Sequence, residues 1–308
     1  MKKLIIKTII VLAGVFAIDS LVGILGDWLI HKGAEKSYAG QTALLNYSLN
    51  GVNADIVILG SSEASSAYIP SIISEQLYAR TGQMYSVFNA GTYFQGLPFC
   101  YCVEQGLVGR SNPKIIVLDL VPNYLYPADY SSMTPQLRPY SRVNPYVKQL
   151  LALHDEANER IKSRCNMYRW NSEIIKLSSI LYEHNTSDGF DPHSGTLPAN
   201  SQKKEEQFTE KGLSEIAINE FEGLIELAEK NNIILVCTVS PKYRILPLHS
   251  DSYRTMMDIL NEHNIPVLEY NNDSSFDNPL LFHDPAHLNP EGAKMCTSIL
   301  VELLVSFL

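Results

Sequence analysis

The chain has 308 residues, 45% of them hydrophobic and 19% charged, with 33 acidic against 24 basic side chains and a formal net charge of −9. This composition excludes disorder over the bulk of the chain and suffices for one large α/β domain or two small ones. An acidic balance argues against nucleic acid as a partner, since that binding is driven by phosphate neutralisation. The 17 Gly and 16 Pro exclude collagen-like and low-complexity architectures.

The N-terminus reads as a membrane signal. Lys2, Lys3 and Lys7 precede an apolar run from Ile9 to Ile18, which resumes after Asp19 and Ser20 and ends near Trp28–Ile30. The inner run alone resembles a signal-peptide core, but Thr8–Ile30 is about 23 residues, enough to cross hydrocarbon at roughly 1.5 Å per residue. No small-x-small cleavage site follows it, and the first cysteine is Cys100. An uncleaved signal anchor over residues 1–31 is therefore favoured over a cleaved signal or a soluble helix. Lysines ahead of the span predict a cytoplasmic N-terminus and an extracytoplasmic body, periplasmic or at the cell surface.

Beyond the anchor, Asp55–Gly60 (DIVILG) has the continuous apolarity of a buried parallel strand. Pro70 with Ile72, Ile73 and Leu77 predicts a helix over about 70–80. Met84–Asn89 is a second strand, roughly 95–110 a second helix, and Lys114–Leu120 (KIIVLDL) the clearest strand of all. Helical spacing over Glu205–Asn231 leads into strand Ile233–Val239. Asp251–Asn264 is a further helix and Ile265–Tyr270 a fifth strand. The last helix is announced by Asn289 as N-cap and Pro290 at its first position. Strands alternating with helices describe a doubly wound, mostly parallel five-stranded sheet within residues 32–308. The Pro-, Tyr- and Ser-rich stretch at about 124–204 breaks that beat and reads as an insertion, with helical pieces near 143–165 and 170–183. Leaving the third strand at its carboxyl end, it should lie over the face where such sheets bind ligands.

Five cysteines (Cys100, Cys102, Cys165, Cys237, Cys296) form no metal-binding spacing. Most are expected as small core residues, with a disulfide from Cys100 or Cys102 left open. Chemistry concentrates at the strand ends: Gly60-Ser61-Ser62-Glu63 after the first, Asn89-Ala90-Gly91 after the second, and Asn123 four residues beyond Asp119. Each has a plain alternative, an N-cap for the serine and turns for the asparagines. The fourth piece is Asp284-Pro285-Ala286-His287 before the last helix. An Asp three residues ahead of a His can accept its Nδ1–H and leave Nε2 as a base toward a serine. A metal site is not expected, because no third ligand stands at a sensible spacing.

In this order, Ser62, Asn89, Asn123 and Asp284-x-x-His287 resemble the SGNH (GDSL-type) hydrolases, over roughly residues 55–125 and 233–308. The resemblance implies a flavodoxin-like three-layer α/β/α fold, with Ser62 as nucleophile, His287 as base and Asp284 orienting it. The oxyanion would be held by the Asn123 amide, the Ser62 N–H and an N–H of the Asn89–Gly96 loop, where Gly91, Phe94 and Gly96 are the candidates. No cofactor is implied. Three departures stand out: Ser61 replaces the usual Asp, Phe94 falls where a glycine is usual, and Val121-Pro122 precede Asn123. Membrane-linked relatives of this shape handle polysaccharide O-acylation. The implied activity is thus a serine esterase or O-acyltransferase on acyl, chiefly acetyl, esters of cell-surface glycans, beside a multispanning acyltransferase. A non-catalytic glycan-binding or assembly protein on a degenerate fold is the competing expectation.

Overall fold

Five short strands pair in parallel in the computed structural model, which describes every residue except 94–95, 155, 207–211 and 271–272. They are β1 (Ile56–Leu59), β2 (Val87–Asn89), β3 (Ile115–Asp119), β4 (Ile234–Val239) and β5 (Val267–Glu269), in the spatial order β2-β1-β3-β4-β5. The register sets Ile58 opposite Asn89, Leu59 opposite Leu118 and Asp119 opposite Thr238. The carboxyl ends of the first four strands therefore lie together along one edge. Ile56, Ile58, Ile115, Val117 and Val236 point into a core shared with Tyr68, Ile73, Leu77, Cys296 and Leu300. With a side-chain period of two, their neighbours Val57, Leu59, Ile116 and Leu118, also buried, face the opposite layer.

Helix Pro290–Val305 packs on Pro70–Thr81 and Ser62–Ala67, and Glu215–Lys230 packs on Leu97–Val108, giving helices on both faces. The predicted capping of the last helix is present: Asn289 Oδ1 accepts from the Glu291 and Gly292 N–H groups, both at 3.1 Å. The helix predicted over Glu205–Asn231 starts later, at Glu215. Ser214 caps it by accepting the Ala217 N–H, and Lys204–Glu205 instead pairs as a two-residue strand with Arg244–Ile245. All five cysteines are free, and only Cys165 is exposed, so the disulfide left open in the sequence is not formed.

Two compact units divide the chain. One comprises Val52–Ala128 and Ser187–Leu308 and holds the sheet; the other comprises Met1–Gly51 and Asp129–Thr186. The sequence places the insertion at about 124–204, whereas the compact unit takes Asp129–Thr186 together with the N-terminal segment.

In that second unit the helix Lys2–Ala34 is long and apolar enough to cross a membrane, by length and composition. It is exposed through Ile18; burial begins on one face, at Gly23, Gly26, Leu29, Ile30 and Gly33. A Cβ at Gly26 would come within 2.0 Å of the Trp170 ring, so the close approach of helix Asn166–Trp170 requires glycine there. The two carboxylates of the apolar helix are held by the same neighbour. Asp27 accepts from the buried Arg169 guanidinium at 2.7 Å, and Asp19 accepts from the Met167 N–H at 2.8 Å. Helix Gln41–Asn50, which the sequence does not signal, completes the packing, and Asn46 donates to the Ile30 carbonyl at 3.0 Å.

Candidate active site

The turn after β1 is shaped by what it passes. Gly60 has φ +154°, a conformation L side chains rarely adopt, and a Cβ there would lie 2.7 Å from Ala64 Cβ and 2.9 Å from Asp119 Cβ. The next residue, Ser61, caps helix Ser62–Ala67 by accepting the Glu63 N–H, and its hydroxyl donates to the Glu63 carboxylate. Ser62 is thereby the first helical residue, partly exposed above the sheet edge. A serine in the position usual for Asp still performs the cap.

From the other end of the chain, the turn before the last helix brings His287 to it. Ser62 Oγ lies 2.9 Å from His287 Nε2, across 225 residues of sequence. His287 Nδ1 lies 2.9 and 3.0 Å from the two Asp284 oxygens. Asp284 Oδ1 also accepts the Ala286 N–H at 2.7 Å and the His287 N–H at 3.0 Å, so the tight turn itself locks the carboxylate in place. Burial pushes the Asp284 carboxyl up, but the Ala286 N–H and the His287 side chain more than reverse this, leaving it below the usual range. As a carboxylate at neutral pH it can accept the Nδ1–H, an arrangement in which Nε2 could accept a serine proton. The His287 side chain keeps 16% of its surface and Asp284 40%, which leaves the pair reachable from solvent.

The remaining sequence candidates separate. Asn123 sits exposed in the turn after β3, and among the described residues its side-chain amide has no hydrogen-bond partner. Asn89 is buried. Its amide donates to the Ala64 and Tyr68 carbonyls, both at 2.9 Å, and its Oδ1 accepts the Gly91 N–H at 2.9 Å. The Gly91 N–H is therefore spent inside the fold and is no oxyanion donor. Gly91 is required instead for space, since a Cβ would come within 2.8 Å of the Ser65 nitrogen. Gly96 is the N-cap of helix Leu97–Val108, its carbonyl accepting from Phe99 and Cys100. Phe94 lies outside the described residues.

Three further side chains stand near the strand ends, of which the sequence named only Glu63, as part of the Gly60–Glu63 segment. Asp119, fully buried at the end of β3, accepts from Tyr68 Oη, Thr238 Oγ1 and the Ser240 N–H on one oxygen and from Ser240 Oγ on the other, at 2.9–3.2 Å. Burial nevertheless pushes its pKa up to about 6. Glu63, next to Ser62, pairs with the buried Lys242 at 3.0 Å. Burial pushes the Glu63 carboxyl up, but the Lys242 charge and hydrogen bond bring it below the usual range. His193 stacks on His287, ring centroids 4.9 Å apart at 15°. It reaches there because residues 187–197 strap across the strand ends. Asn89 donates its N–H to Asp188, Asp191 to Ser65 and Leu197 to Phe282, all backbone bonds of 2.8–2.9 Å. That part of the predicted insertion does cover the ligand face. A lone His in a loop has no sequence signature; the signal available was the Asp188-Gly189 and Ser194-Gly195 turns bracketing Asp191-Pro192-His193. A groove of about 650 Å³ opens beside Pro285, lined by Gln202, Lys204, Glu205, Glu206, Tyr243 and Arg244 among others.

A doubly wound parallel sheet carrying a Ser–His–Asp relay over its carboxyl edge is the architecture the chain presents. No protein-family model and no curated protein matches it. Among solved structures it is similar to a psychrotrophic esterase from Pseudoalteromonas sp. (10% identity, 82% of this chain and 97% of that one, TM-score 0.41). It is also similar to a GDSL-like lipase from Bacteroides thetaiotaomicron (10%, 82% and 87%, 0.37). An acetyl xylan esterase is matched at 13% identity, over 81% and 99% of the two chains, with TM-score 0.38.

Proposed function

We propose that the chain is a membrane-anchored serine esterase or O-acyltransferase of the SGNH type. The observation that carries the reading is the unbroken relay from Ser62 Oγ through His287 to Asp284, every step at 2.9–3.0 Å. His287 Nε2 takes the Ser62 proton as Oγ attacks an ester carbonyl carbon, and Asp284 stabilises the resulting imidazolium. The oxygen that becomes negative is met by the Ser62 N–H and the unengaged Asn123 amide, with the loop at Phe94 as the expected third donor. The tetrahedral intermediate collapses, the alcohol leaves with the proton from His287, and an acyl group remains on Ser62. Water then completes an esterase cycle, or a sugar hydroxyl a transferase cycle.

The substrate class proposed is an acetyl or other short acyl ester of a cell-surface glycan, with a multispanning membrane acyltransferase supplying or sharing the acyl group. The groove beside Pro285 supports it, offering Tyr243, Gln202, two cations and the carboxylates of Glu205 and Glu206 next to the turn that holds Asp284 and His287. The helix Lys2–Ala34 serves as an uncleaved anchor, its lysines in the cytoplasm and the sheet-bearing unit outside.

The test is turnover of an activated acetyl ester by the detergent-solubilised full chain. Wild type should hydrolyse it and label with a fluorophosphonate; Ser62→Ala should do neither. A folded wild type that neither turns over nor labels, beside a reactive control esterase, overturns catalysis and favours the glycan-binding alternative. Acetylated product formed on an added oligosaccharide, at the expense of hydrolysis, assigns transfer. Extraction of the chain from membranes by alkaline carbonate would remove the anchor.

A further inference from the structure

The N-terminal unit carries a basic groove far along the chain from any residue of the relay. It has a volume of about 580 Å³ and is lined by Arg142, Lys148, Arg160 and Arg164 together with Ser141 and Ser163. Among the described residues no carboxylate pairs with any of these four cations. Arg142 donates to Asn166 Oδ1 at 2.6 Å and to the Arg164 carbonyl at 2.8 Å, and Arg160 donates to the Ala152 carbonyl at 2.9 Å. These bonds hold the guanidinium heads without neutralising them. Ser141 and Ser163 spend their hydroxyl protons on the Arg138 and Glu159 carbonyls, both at 2.8 Å, so the donor set is the four unneutralised cations around one hollow, which suits a phosphate.

Its position says which phosphate. Asn166, which accepts from Arg142, donates in turn to Asp19 Oδ2 at 3.0 Å, so the groove wall stands two hydrogen bonds from the apolar helix. Lys2, Lys3 and Lys7 mark the far end of that helix. A hydrocarbon layer of roughly 30 Å takes about 20 residues at 1.5 Å each, so, counted from Lys2 to Lys7, the opposite headgroup layer meets the helix near about residues 22–27. Asp27, gripped by Arg169 of helix Asn166–Trp170, lies in that stretch, and Asp19 one turn before it. Ile161 and Met167, on the same short helices as Arg160 and Asn166, are 63% and 49% exposed, as suits side chains that dip into an interface.

We propose that this groove binds the phosphate of an anionic lipid headgroup in the leaflet on the side of the folded unit. The proposal rests on the anchored reading of helix Lys2–Ala34 and is independent of the esterase chemistry. Its test is native mass spectrometry and a fluorescence titration of the full chain in neutral detergent. The probes are short-chain phosphatidylglycerol, short-chain phosphatidylcholine and glycerol 3-phosphate. Phosphatidylglycerol should bind at least tenfold tighter than phosphatidylcholine and weaken as salt rises. The preference should fall to twofold or less in Lys148→Gln/Arg160→Gln/Arg164→Gln. Should the triple variant not fold, Lys148→Gln alone, whose side chain makes no hydrogen bond among the described residues, should weaken phosphatidylglycerol at least threefold. Equal affinity for the two lipids, or a preference untouched by Lys148→Gln, overturns the proposal. Glycerol 3-phosphate binding as tightly as the lipid overturns it in favour of a soluble phosphoester. Carbonate extraction reports on the anchor separately, because the detergent titration proceeds whether or not the helix spans.

Discussion

Asp284→Asn separates orientation from architecture. In the wild type, Oδ1 accepts two backbone N–H groups and shares the His287 Nδ1 proton with Oδ2, 2.9 Å away. An asparagine can keep its oxygen on the Ala286 and His287 N–H groups, so the turn survives. Converting charge-assisted bonds to neutral ones should cost roughly 1–2 kcal/mol of stability. The amide nitrogen then faces Nδ1 and donates to it, which moves the ring proton to Nε2. Nε2 is the atom 2.9 Å from Ser62 Oγ, and with a proton on it the imidazole can no longer accept the serine proton. The expected loss is roughly 10³–10⁴-fold in turnover, or about 4–5.5 kcal/mol of transition-state stabilisation at about 1.4 kcal/mol per decade. The assay is steady-state hydrolysis of the activated acetyl ester, with thermal unfolding of the same preparation as the fold control. A variant that melts near the wild type and keeps more than a tenth of its turnover would refute the assignment of Asp284 to tautomer control.

Ser62→Ala should leave the melting temperature close to that of the wild type while abolishing turnover and fluorophosphonate labelling, checked on one preparation. Gly60→Ala should lower stability by more than about 2 kcal/mol in denaturant titration, because it combines a φ of +154° with a Cβ pressed between Ala64 and Asp119. Asp119 has its pKa raised from 3.8 to about 6 by burial, so its contribution to stability is full below pH 3.8 and is lost as pH rises through 6. That loss corresponds to about 3 kcal/mol. Asp119→Asn, which cannot titrate, should therefore gain on the wild type by up to that amount between pH 4 and 7; an unchanging difference across that range refutes it. His193→Phe keeps a flat ring against His287 and should hold turnover near pH 8 within about threefold, whereas His193→Ala should lose more. Burial first, then His287, holds the His193 pKa below 6.5, so neutral His193 contributes stability that is full above that pH and falls as pH drops. The phenylalanine variant should lack that slope in stability against pH.

What was readable from the sequence follows from how far each signal acts. The central strands were legible because a buried parallel strand is apolar along its interior, as Ile56–Leu59 and the first four residues of Ile115–Asp119 are. The last helix was legible because Asn289 and Pro290 act on their own backbone. The Ser62–His287 meeting could be anticipated only by combining strand order with two local turns, since 225 residues separate the partners. Where position depends on tertiary contact, the local signal was silent or misleading. Gly91 looks like a permissive donor, yet Asn89 Oδ1, two residues back in the same turn, takes its N–H. Asn89 reads as a turn residue, but its buried amide ties the carbonyls of Ala64 and Tyr68 to the end of β2, which is what holds the Ser62 helix in place. His193 carries no pattern at all, because its role arises from a strap whose backbone hydrogen bonds, through Asp188, Asp191 and Leu197, have no side-chain code. The same division applies inside the relay. The geometry of Asp284-x-x-His287 was legible because the carboxylate, the two N–H groups and the imidazole all belong to four consecutive residues. The neighbours around it, Glu63 paired with Lys242 and His193 stacked on His287, come from elements that only the folded sheet brings near.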